Sequence, residues 1–261
     1  MLSFKKYKEY NPRPIGRVEG GSNNNMVIYL YDVENPERQN LEVTIDDGVI
    51  HPIPLLVDPK NEQVDVMYIS ARQGAGKSTY IADYVADYRK LYPRNKIFLF
   101  SSKFDDETNT FTDKAYQHLP YITVMKVDQS FLDIQLNPSD FADSLVIFDD
   151  IEQLPYKEVL KEINDLRRRL LTVGREKRIF VIVTSHIMCD GDKTRLFLNE
   201  HNKGTFFKGC NMSQVKRYLE NYSGVSDKKI QNKIINLPSR WITVSQNYPA
   251  YVIYEKGIFL I

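Results

Sequence analysis

The chain is poor in cysteine, and this excludes several classes of protein. Only Cys189 and Cys210 occur among 261 residues, and the sequence contains no Cys-x-x-Cys pair. A disulfide framework is therefore excluded, and free thiols in a reducing compartment are expected. Together with His201, the two cysteines do not form a zinc-binding pattern, so no structural zinc is predicted.

Long apolar runs and a strong net charge are also missing. No stretch approaches the ~20 apolar residues of a membrane-spanning helix, and the start Met-Leu-Ser-Phe-Lys-Lys lacks the apolar core of a signal peptide. The net charge of +1 at pH 7 is too small to indicate a partner, so only local clusters of charge are informative. The length suits one large α/β domain, or one domain with an appendage.

The sequence does contain a phosphate-binding motif. Residues 71–79 read Ala-Arg-Gln-Gly-Ala-Gly-Lys-Ser-Thr, which is a P-loop pattern with Ala71 in place of the first glycine. The motif follows an apolar strand predicted at residues 64–70 and precedes a helix predicted at 77–91. This setting predicts nucleotide binding, whereas the alternative is a glycine turn that binds nothing.

Most residues of the P-loop have an expected role. Gly74 and Gly76 permit backbone angles that direct N–H groups at a phosphate. Lys77 is expected on the β- and γ-phosphates, Ser78 on Mg²⁺ and Thr79 near the α-phosphate. The other residues predicted to bind the nucleotide are Ala71, Arg72, Gln73 and Ala75.

A second motif is an apolar strand that ends in two carboxylates. Residues 145–150 read Leu-Val-Ile-Phe-Asp-Asp, which is a Walker B pattern. Because the carboxyl ends of parallel strands share one edge of a sheet, Asp149 is expected beside the P-loop as a ligand of Mg²⁺. Asp150 is the first candidate for the group that activates water, and Glu152 is the second. The alternative for Asp150 is a solvated turn residue or a helix cap.

Residues near the next strand are candidates for completing the site. Ser185 and His186 end that strand and suit a γ-phosphate sensor; alternatively, Thr184 and Ser185 cap a loop and His186 is an ordinary surface histidine. Arg175 precedes the strand and is a candidate arginine finger for a neighbouring subunit's site. The alternative for this residue is a solvent-exposed or ion-paired arginine.

The pattern of strands and helices predicts an α/β fold with a mostly parallel sheet and helices on both faces. Predicted strands occupy residues 26–31, 41–45, 49–57, 64–70, 96–101, 121–127, 144–148, 178–184, 240–244 and 251–261. Predicted helices occupy residues 77–91, 105–118, 156–171, 212–222 and 227–235. Asp46-Asp47-Gly48 predicts a β-hairpin, and the three arginines at 167–169 are predicted to lie on a solvated helix face.

Three regions are predicted. Residues 1–60 form an N-terminal arm and a β-hairpin region, with the arm over residues 1–25. Residues 61–190 form a P-loop ATPase core. Residues 191–261 form a C-terminal extension that either completes the core or makes a small lobe, and the pattern leaves both alternatives open.

Taken together, the motifs resemble the FtsK–HerA group of P-loop motors. The P-loop, the strand ending in Asp149-Asp150, and Gly174-Arg175 followed by a strand ending Thr-Ser-His carry the resemblance. It is closest to the genome-packaging ATPases of poxviruses, giant viruses and virophages, and it spans residues 64–261. Ala71 for Gly, Asp150 for Glu and His186 for Gln depart from the broad pattern of the group.

The resemblance implies a RecA-like P-loop NTPase core with N-terminal β-strands and a C-terminal α+β extension. ATP and Mg²⁺ are the implied cofactors, and ATP hydrolysis would drive double-stranded DNA into a preformed capsid. The implied partners are a homo-oligomeric ring of about five or six subunits and a capsid, portal or membrane-vertex protein. No membrane span is implied, and the implied location is the host cytoplasm, the viral factory or the virion.

Two other functions are compatible with a P-loop: a nucleotide or small-molecule kinase, and an ATP-binding assembly protein without turnover. The acidic pair and the Thr-Ser-His edge favour hydrolysis over transfer to a hydroxyl. Basic residues that could contact DNA phosphates are Lys193 and Arg195, in a polar loop predicted at residues 190–195, and Lys203, Lys208, Lys216, Arg217, Lys228, Lys229 and Lys233. The alternative for each of them is an ordinary solvated position.

Overall fold

The computed structural model describes residues 1–32, 40–57, 63–105, 110–111, 114–119 and 121–261. The strands are β1 (Leu2–Ser3), β2 (Arg13–Glu19), β3 (Val27–Leu30), β4 (Glu42–Thr44), β5 (Val49–Pro52), β6 (Val66–Ser70), β7 (Lys96–Ser101), β8 (Phe104–Asp105), β9 (Thr110–Phe111), β10 (Ile122–Met125), β11 (Ser144–Asp149), β12 (Ile179–Ser185), β13 (Lys203–Phe207), β14 (Trp241–Ser245), β15 (Tyr251–Tyr254) and β16 (Gly257–Leu260). The helices are α1 (Lys77–Leu91), α2 (Lys114–Gln117), α3 (Lys157–Val173), α4 (Gly191–Glu200), α5 (Met212–Asn221) and α6 (Lys228–Ile235).

A ten-stranded sheet forms the centre of the molecule. Its strands lie in the order β10-β7-β11-β12-β6-β13-β14-β15-β16-β4. The first six are parallel, and the last four join by antiparallel pairs. Strand β12 lies between β6 and β11, so the carboxyl ends of these three strands meet at one edge.

Both faces of this sheet are covered, which explains the continuous apolar runs in its parallel strands. One face packs against α3, α4, α5 and α6. The other packs against α1, α2 and a second, four-stranded sheet of order β1-β3-β2-β5. The predicted α/β class and the central strands β6, β7, β11 and β12 are confirmed.

Helix α3 shows how the sequence pattern places an element. Val159, Ile163, Leu166 and Leu170 recur at helical spacing and are buried against the sheet, and each such side chain contributes about 1.5–3 kcal/mol by burial. The helix ends before Gly174, where a Cβ would lie 2.4 Å from the carbonyl oxygen of Leu170. A side chain at this position would therefore force the turn into β12 to move.

The N-terminal region differs from its prediction. The segment predicted as an arm carries β1 and β2, and Ile15 and Val18 of β2 are buried. The predicted hairpin at Asp46-Asp47-Gly48 is wrong, because β4 pairs with β16 of the large sheet while β5 pairs with β2 of the small one. The chain changes sheets at this turn.

Two predictions for the second half of the chain are also wrong. The strand predicted at residues 251–261 is a hairpin of β15 and β16. The polar residues 190–195, predicted as a loop, enter helix α4, and β13 follows this helix where no strand was predicted. Within the predicted helix 105–118, residues 106–109 and 112–113 lie outside the described residues, and the rest includes β8, β9 and α2.

No helix in the described part of the chain has both the length and the apolar character needed to cross a membrane.

Candidate nucleotide-binding site

The P-loop connects β6 to α1 at the carboxyl edge of the sheet. Gly74 has φ 74° and Gly76, immediately before α1, has φ 100°. These angles lie in the left-handed region that glycine adopts without steric cost. A Cβ on Gly74 would meet nothing within 4 Å, so the backbone conformation, and not the available space, requires glycine there.

The loop lines a cavity of about 460 Å³, a volume typical of small-molecule sites. Its lining residues come from the P-loop, the start of α1, α2, the segment after β7 and the tip of β11: Arg72, Gln73, Gly74, Gly76, Lys77, Ser78, Thr79, Lys103, Lys114 and Asp150. Three of these are lysines, which suits an anionic ligand. Lys103 and Lys114 were not predicted from the sequence.

Two lysines hold the carboxylate of Asp150. Lys77 Nζ lies 2.6 Å from Asp150 Oδ1, and Lys103 Nζ lies 2.5 Å from Asp150 Oδ2. Burial would raise the pKa of this carboxyl, but the hydrogen bonds and charges of Lys103 and Lys77 outweigh it and lower the pKa below its ordinary value. Asp150 is therefore ionised at neutral pH.

The environment of Asp149 is different. Its Oδ1 accepts a hydrogen bond from Thr184 Oγ1 at 2.9 Å. Its buried Oδ2 has no hydrogen-bond partner among the described residues, and Lys103 Nζ lies 3.5 Å away. Burial raises the pKa of Asp149, although the Lys103 charge opposes this effect. A buried carboxylate oxygen that accepts no hydrogen bond from the described residues suits Mg²⁺ or a water bound to it.

Thr184 joins the two acids, whereas the sequence placed it only at the Thr-Ser-His strand end, with a loop cap as the alternative. Besides its bond to Asp149, Thr184 Oγ1 accepts the backbone N–H of Asp150 at 2.9 Å. Asp150 has φ 51° and ψ 33°, a conformation that only glycine, asparagine and aspartate adopt readily. Thr184 therefore helps to fix the backbone that presents Asp150 to the cavity.

The two predicted sensor residues point to different partners. Ser185 Oγ donates to Glu152 Oε2 at 3.0 Å, while the backbone carbonyl of Ser185 accepts the N–H of Ala71. His186 Nδ1 lies 3.1 Å from the carbonyl oxygen of Ala71, so this nitrogen is the donor of that hydrogen bond. The other ring nitrogen of His186 lies 3.5 Å from Asp150 Oδ1. His186 therefore connects the P-loop to Asp150.

Arg175 and Arg167 lie in different environments. Arg175 is exposed in the turn before β12, at the strand end opposite the cavity and about 20 Å from it along the strand. Arg167, predicted on a solvated face, is buried with its guanidinium 4.1 Å from the ring centroid of Phe197. The prediction for Arg167 is therefore wrong, because α4 covers that part of α3.

Several of the basic residues considered for DNA contact are paired. Lys203 is buried, and its Nζ lies 2.9 Å from Asp65 Oδ2, so it is not a surface contact. Lys228 pairs with Glu220, and Lys233 pairs with Glu42. The exposed remainder are Arg195, Lys208, Lys216, Arg217 and Lys229, and the side chain of Lys193 lies outside the description.

Comparisons with known proteins give one relative across the whole chain and several similar folds. No protein-family model matches the chain. The conjugation coupling protein TcpA of pCW3, solved in its monomer form with ATPγS, has TM-score 0.50 and 12% identity over 91% of this chain and 75% of TcpA. B204, the DNA-packaging ATPase of Sulfolobus turreted icosahedral virus, has TM-score 0.49 and 14% identity over 75% of this chain and 96% of B204. The likeness to TcpA concerns the fold.

The sequence relative is named "Uncharacterized protein V3" and comes from Sputnik virophage. It is 32% identical over 261 residues, which cover 98% of this chain and 98% of V3. The predicted relation to virophage proteins is therefore confirmed. With this identity over nearly its whole length, the chain belongs to the same family as V3 of Sputnik virophage.

Proposed function

We propose that this protein is an ATPase that uses ATP hydrolysis to move double-stranded DNA and package a viral genome into a preformed capsid. The observation that carries the proposal is the single cavity in which P-loop Lys77 meets the acidic tip of β11. A P-loop with an adjacent acidic pair is suited to binding a triphosphate and directing water at it.

The binding half of the site is the P-loop and the first turn of α1. Backbone N–H groups of the loop and the positive end of α1 attract phosphate oxygens, and Lys77 adds a full charge. Ser78 and Asp149 would hold Mg²⁺, which neutralises charge on the phosphates when it is bound. Asp149 Oδ2 is suited to this role because it accepts no hydrogen bond in the described part of the chain.

The hydrolytic half of the site is Asp150 and the residues around it. Asp150 is the proposed group that orients and deprotonates water, since it is ionised and lines the cavity. His186, whose second ring nitrogen faces Asp150, is the proposed sensor of the γ-phosphate together with Ser185. Glu152 accepts a hydrogen bond from Ser185 and is the second candidate for the group that deprotonates water.

Oligomerisation and DNA binding complete the proposal. Arg175, in the turn before β12, lies too far from the cavity of its own subunit to reach it, so it would act on the next subunit of a ring. Exposed Arg195, Lys208, Lys216 and Arg217 are candidates for DNA phosphate contacts. Family membership with a virophage protein supports a viral role, and the fold is that of TcpA, a conjugation coupling protein solved with ATPγS.

The proposal is tested by measuring phosphate release from Mg·ATP with and without double-stranded DNA. We expect DNA to stimulate release, and we expect Lys77→Ala and Asp149→Ala each to reduce it by about 100-fold or more, because both act on the charge of the transferred phosphate. Lys96→Ala, an exposed lysine at the far end of β7, serves as the control and should keep wild-type activity.

The same assay separates the alternatives. Labelling of a small hydroxyl acceptor by the γ-phosphate would identify a kinase. Tight ATP binding with negligible turnover, with or without DNA, would identify an assembly protein that uses ATP only as a ligand. Either result would contradict the proposed translocase.

A further inference from the structure

We propose that Lys103 is a positioning residue for hydrolysis, which acts within its own subunit by holding the acidic pair at the tip of β11. The proposal rests on the ATPase function proposed above. It depends on three observations. Strand β7 brings Lys103 to the tip of β11, the ammonium of Lys103 lies near both carboxylates, and Lys77 and Lys103 contact different oxygens of Asp150.

The register of the sheet places Lys103 at the acidic tip. Ser101, the last residue of β7, is the register partner of Asp149 on β11. Lys103 follows two residues later, and its backbone N–H donates to Ser101 Oγ at 3.1 Å. This bond turns the chain after β7 and brings the start of the lysine side chain to the same sheet edge as the acids.

The ammonium of Lys103 is shared unequally between the two acids. Its Nζ lies 2.5 Å from Asp150 Oδ2 and 3.5 Å from Asp149 Oδ2. Asp149 and Asp150 are also close to each other, because Thr184 Oγ1 lies 2.9 Å from one and 3.4 Å from the other. Two ionised carboxylates at this separation repel each other, and the ammonium of Lys103, which lies near both of them, reduces that repulsion.

Lys77 and Lys103 have different roles toward Asp150. Lys77 occupies Oδ1, but the P-loop position of Lys77 assigns its ammonium to phosphate oxygens. Lys103 occupies Oδ2 from a segment outside the P-loop. When Lys77 contacts phosphate, Oδ1 becomes available to a water molecule while Lys103 keeps Oδ2 fixed. Lys103 therefore sets the direction of the carboxylate that activates water.

The main experiment compares Lys103→Met, Lys103→Arg and the control Lys96→Met, which removes an exposed ammonium from the other end of β7. Steady-state phosphate release gives kcat and KM, and the anisotropy of a fluorescent ATP analogue gives nucleotide affinity. We expect Lys103→Met to lower kcat by about tenfold or more, with affinity within about threefold of wild type, because only the orientation of the base changes. Lys103→Arg should recover part of kcat.

A different distribution of effects would overturn the proposal. If Lys103→Met weakens the fluorescent analogue by tenfold or more and leaves kcat at saturation unchanged, Lys103 is a phosphate ligand and not a positioning residue. Unchanged kcat and unchanged affinity would show that Lys103 has no part in the site.

A second readout does not depend on turnover. Mn²⁺ binding to the nucleotide-free protein, followed by the electron paramagnetic resonance signal of free Mn²⁺, reports the charge around Asp149 and Asp150. We expect Lys103→Met to bind Mn²⁺ several-fold more tightly than wild type, because a positive charge beside two carboxylates is removed, whereas Lys96→Met should not differ. Equal or weaker binding by Lys103→Met would contradict the proposal. If wild-type protein released no phosphate, the proposed function would fail. The Mn²⁺ affinities would still show whether the charge of Lys103 acts on Asp149 and Asp150.

Discussion

The hydroxyl of Thr184 has two roles at the tip of β11. It donates to Asp149 Oδ1 at 2.9 Å and accepts the backbone N–H of Asp150 at 2.9 Å. Both groups are buried, so water does not compensate for the loss of either bond. A residue of the central strand β12 thus controls the side chain of one acid and the backbone of the other.

We predict that Thr184→Val, which keeps the shape of the side chain, lowers kcat for ATP by about tenfold or more. A buried hydrogen bond to a charged group contributes about 1.5–3 kcal/mol, and the free energy of unfolding should fall by a similar amount. Thr184→Ser keeps the hydroxyl and should retain most of the activity. Phosphate release and urea denaturation measure the two effects.

The matched control is Thr172→Val, which removes an exposed hydroxyl that donates to the carbonyl of Arg168 on its own helix, α3. This change should leave both kcat and stability close to wild type. Wild-type activity in Thr184→Val, or equal loss of activity in the serine variant, would show that the hydroxyl does not hold the acidic pair.

At the scale of elements, His201 joins four pieces of secondary structure on the helical face of the sheet. It follows α4 and precedes β13, and its Nδ1–H donates to the carbonyl of Leu198 at 2.8 Å. Its Nε2 lies 3.0 Å from Tyr218 Oη of α5 and 3.0 Å from Gln246 Nε2, just after β14. Burial lowers the pKa of His201 to about 4, so the imidazole is neutral in the folded protein.

This junction predicts a pH dependence of stability. An unfolded histidine takes up a proton near pH 6.5, whereas the folded chain resists protonation of His201 down to about pH 4. The stabilising contribution of neutral His201 is therefore complete above pH 6.5 and is lost as the pH falls toward 4. The loss amounts to about 3 kcal/mol, and urea denaturation at pH 7 and pH 4 measures it.

The variant His201→Gln cannot be protonated and should lose about 3 kcal/mol less than wild type over this range. His118→Gln removes an exposed histidine and should keep the wild-type dependence. The same pH dependence in His201→Gln and in wild type would show that this junction does not control acid stability.

The same region explains why some elements were predictable from the sequence and others were not. Strands β6, β11 and β12 are long apolar runs because both faces are covered. Strand β13 contains Lys203 and Gly204, which the pattern did not suggest for a central strand. Lys203 is neutralised by Asp65, 138 positions earlier in the chain, and a Cβ on Gly204 would lie 1.9 Å from Tyr218 Oη. These reasons depend on tertiary contacts.

The residues of the site also differ in whether a local motif or a tertiary contact determines their role. The P-loop and the Asp149-Asp150 pair were predicted because each is a contiguous motif with a known chemical use. Lys103 was missed, and the hydrogen bonds of Thr184 to the acidic pair were not predicted, because both depend on which strands are neighbours. Lys103 follows β7 on one side of β11, and Thr184 belongs to β12 on the other.

At the scale of the whole molecule, the proposed role of Arg175 requires head-to-tail assembly. The cavity lies at the carboxyl edge of the parallel strands, and Arg175 lies in the turn that begins β12 at the opposite edge. An interface that joins these two different surfaces is heterologous, and repetition of such an interface closes into a ring when the rotation allows it. The division of the chain into regions at residues 61 and 191 stays a prediction.

This arrangement leads to a test with mixed subunits. Arg175→Ala should bind ATP like wild type but lose hydrolysis, and Asp150→Ala should also be inactive. In an equal mixture, a site is complete when its own subunit has Asp150 and its neighbour has Arg175, so random assembly should restore up to about a quarter of wild-type activity. Phosphate release measures this recovery. Arg168→Ala, at an exposed arginine paired with Asp165 on α3, should keep full activity. Two inactive variants that stay inactive when mixed, although they assemble together, would show that Arg175 does not complete the site of a neighbour.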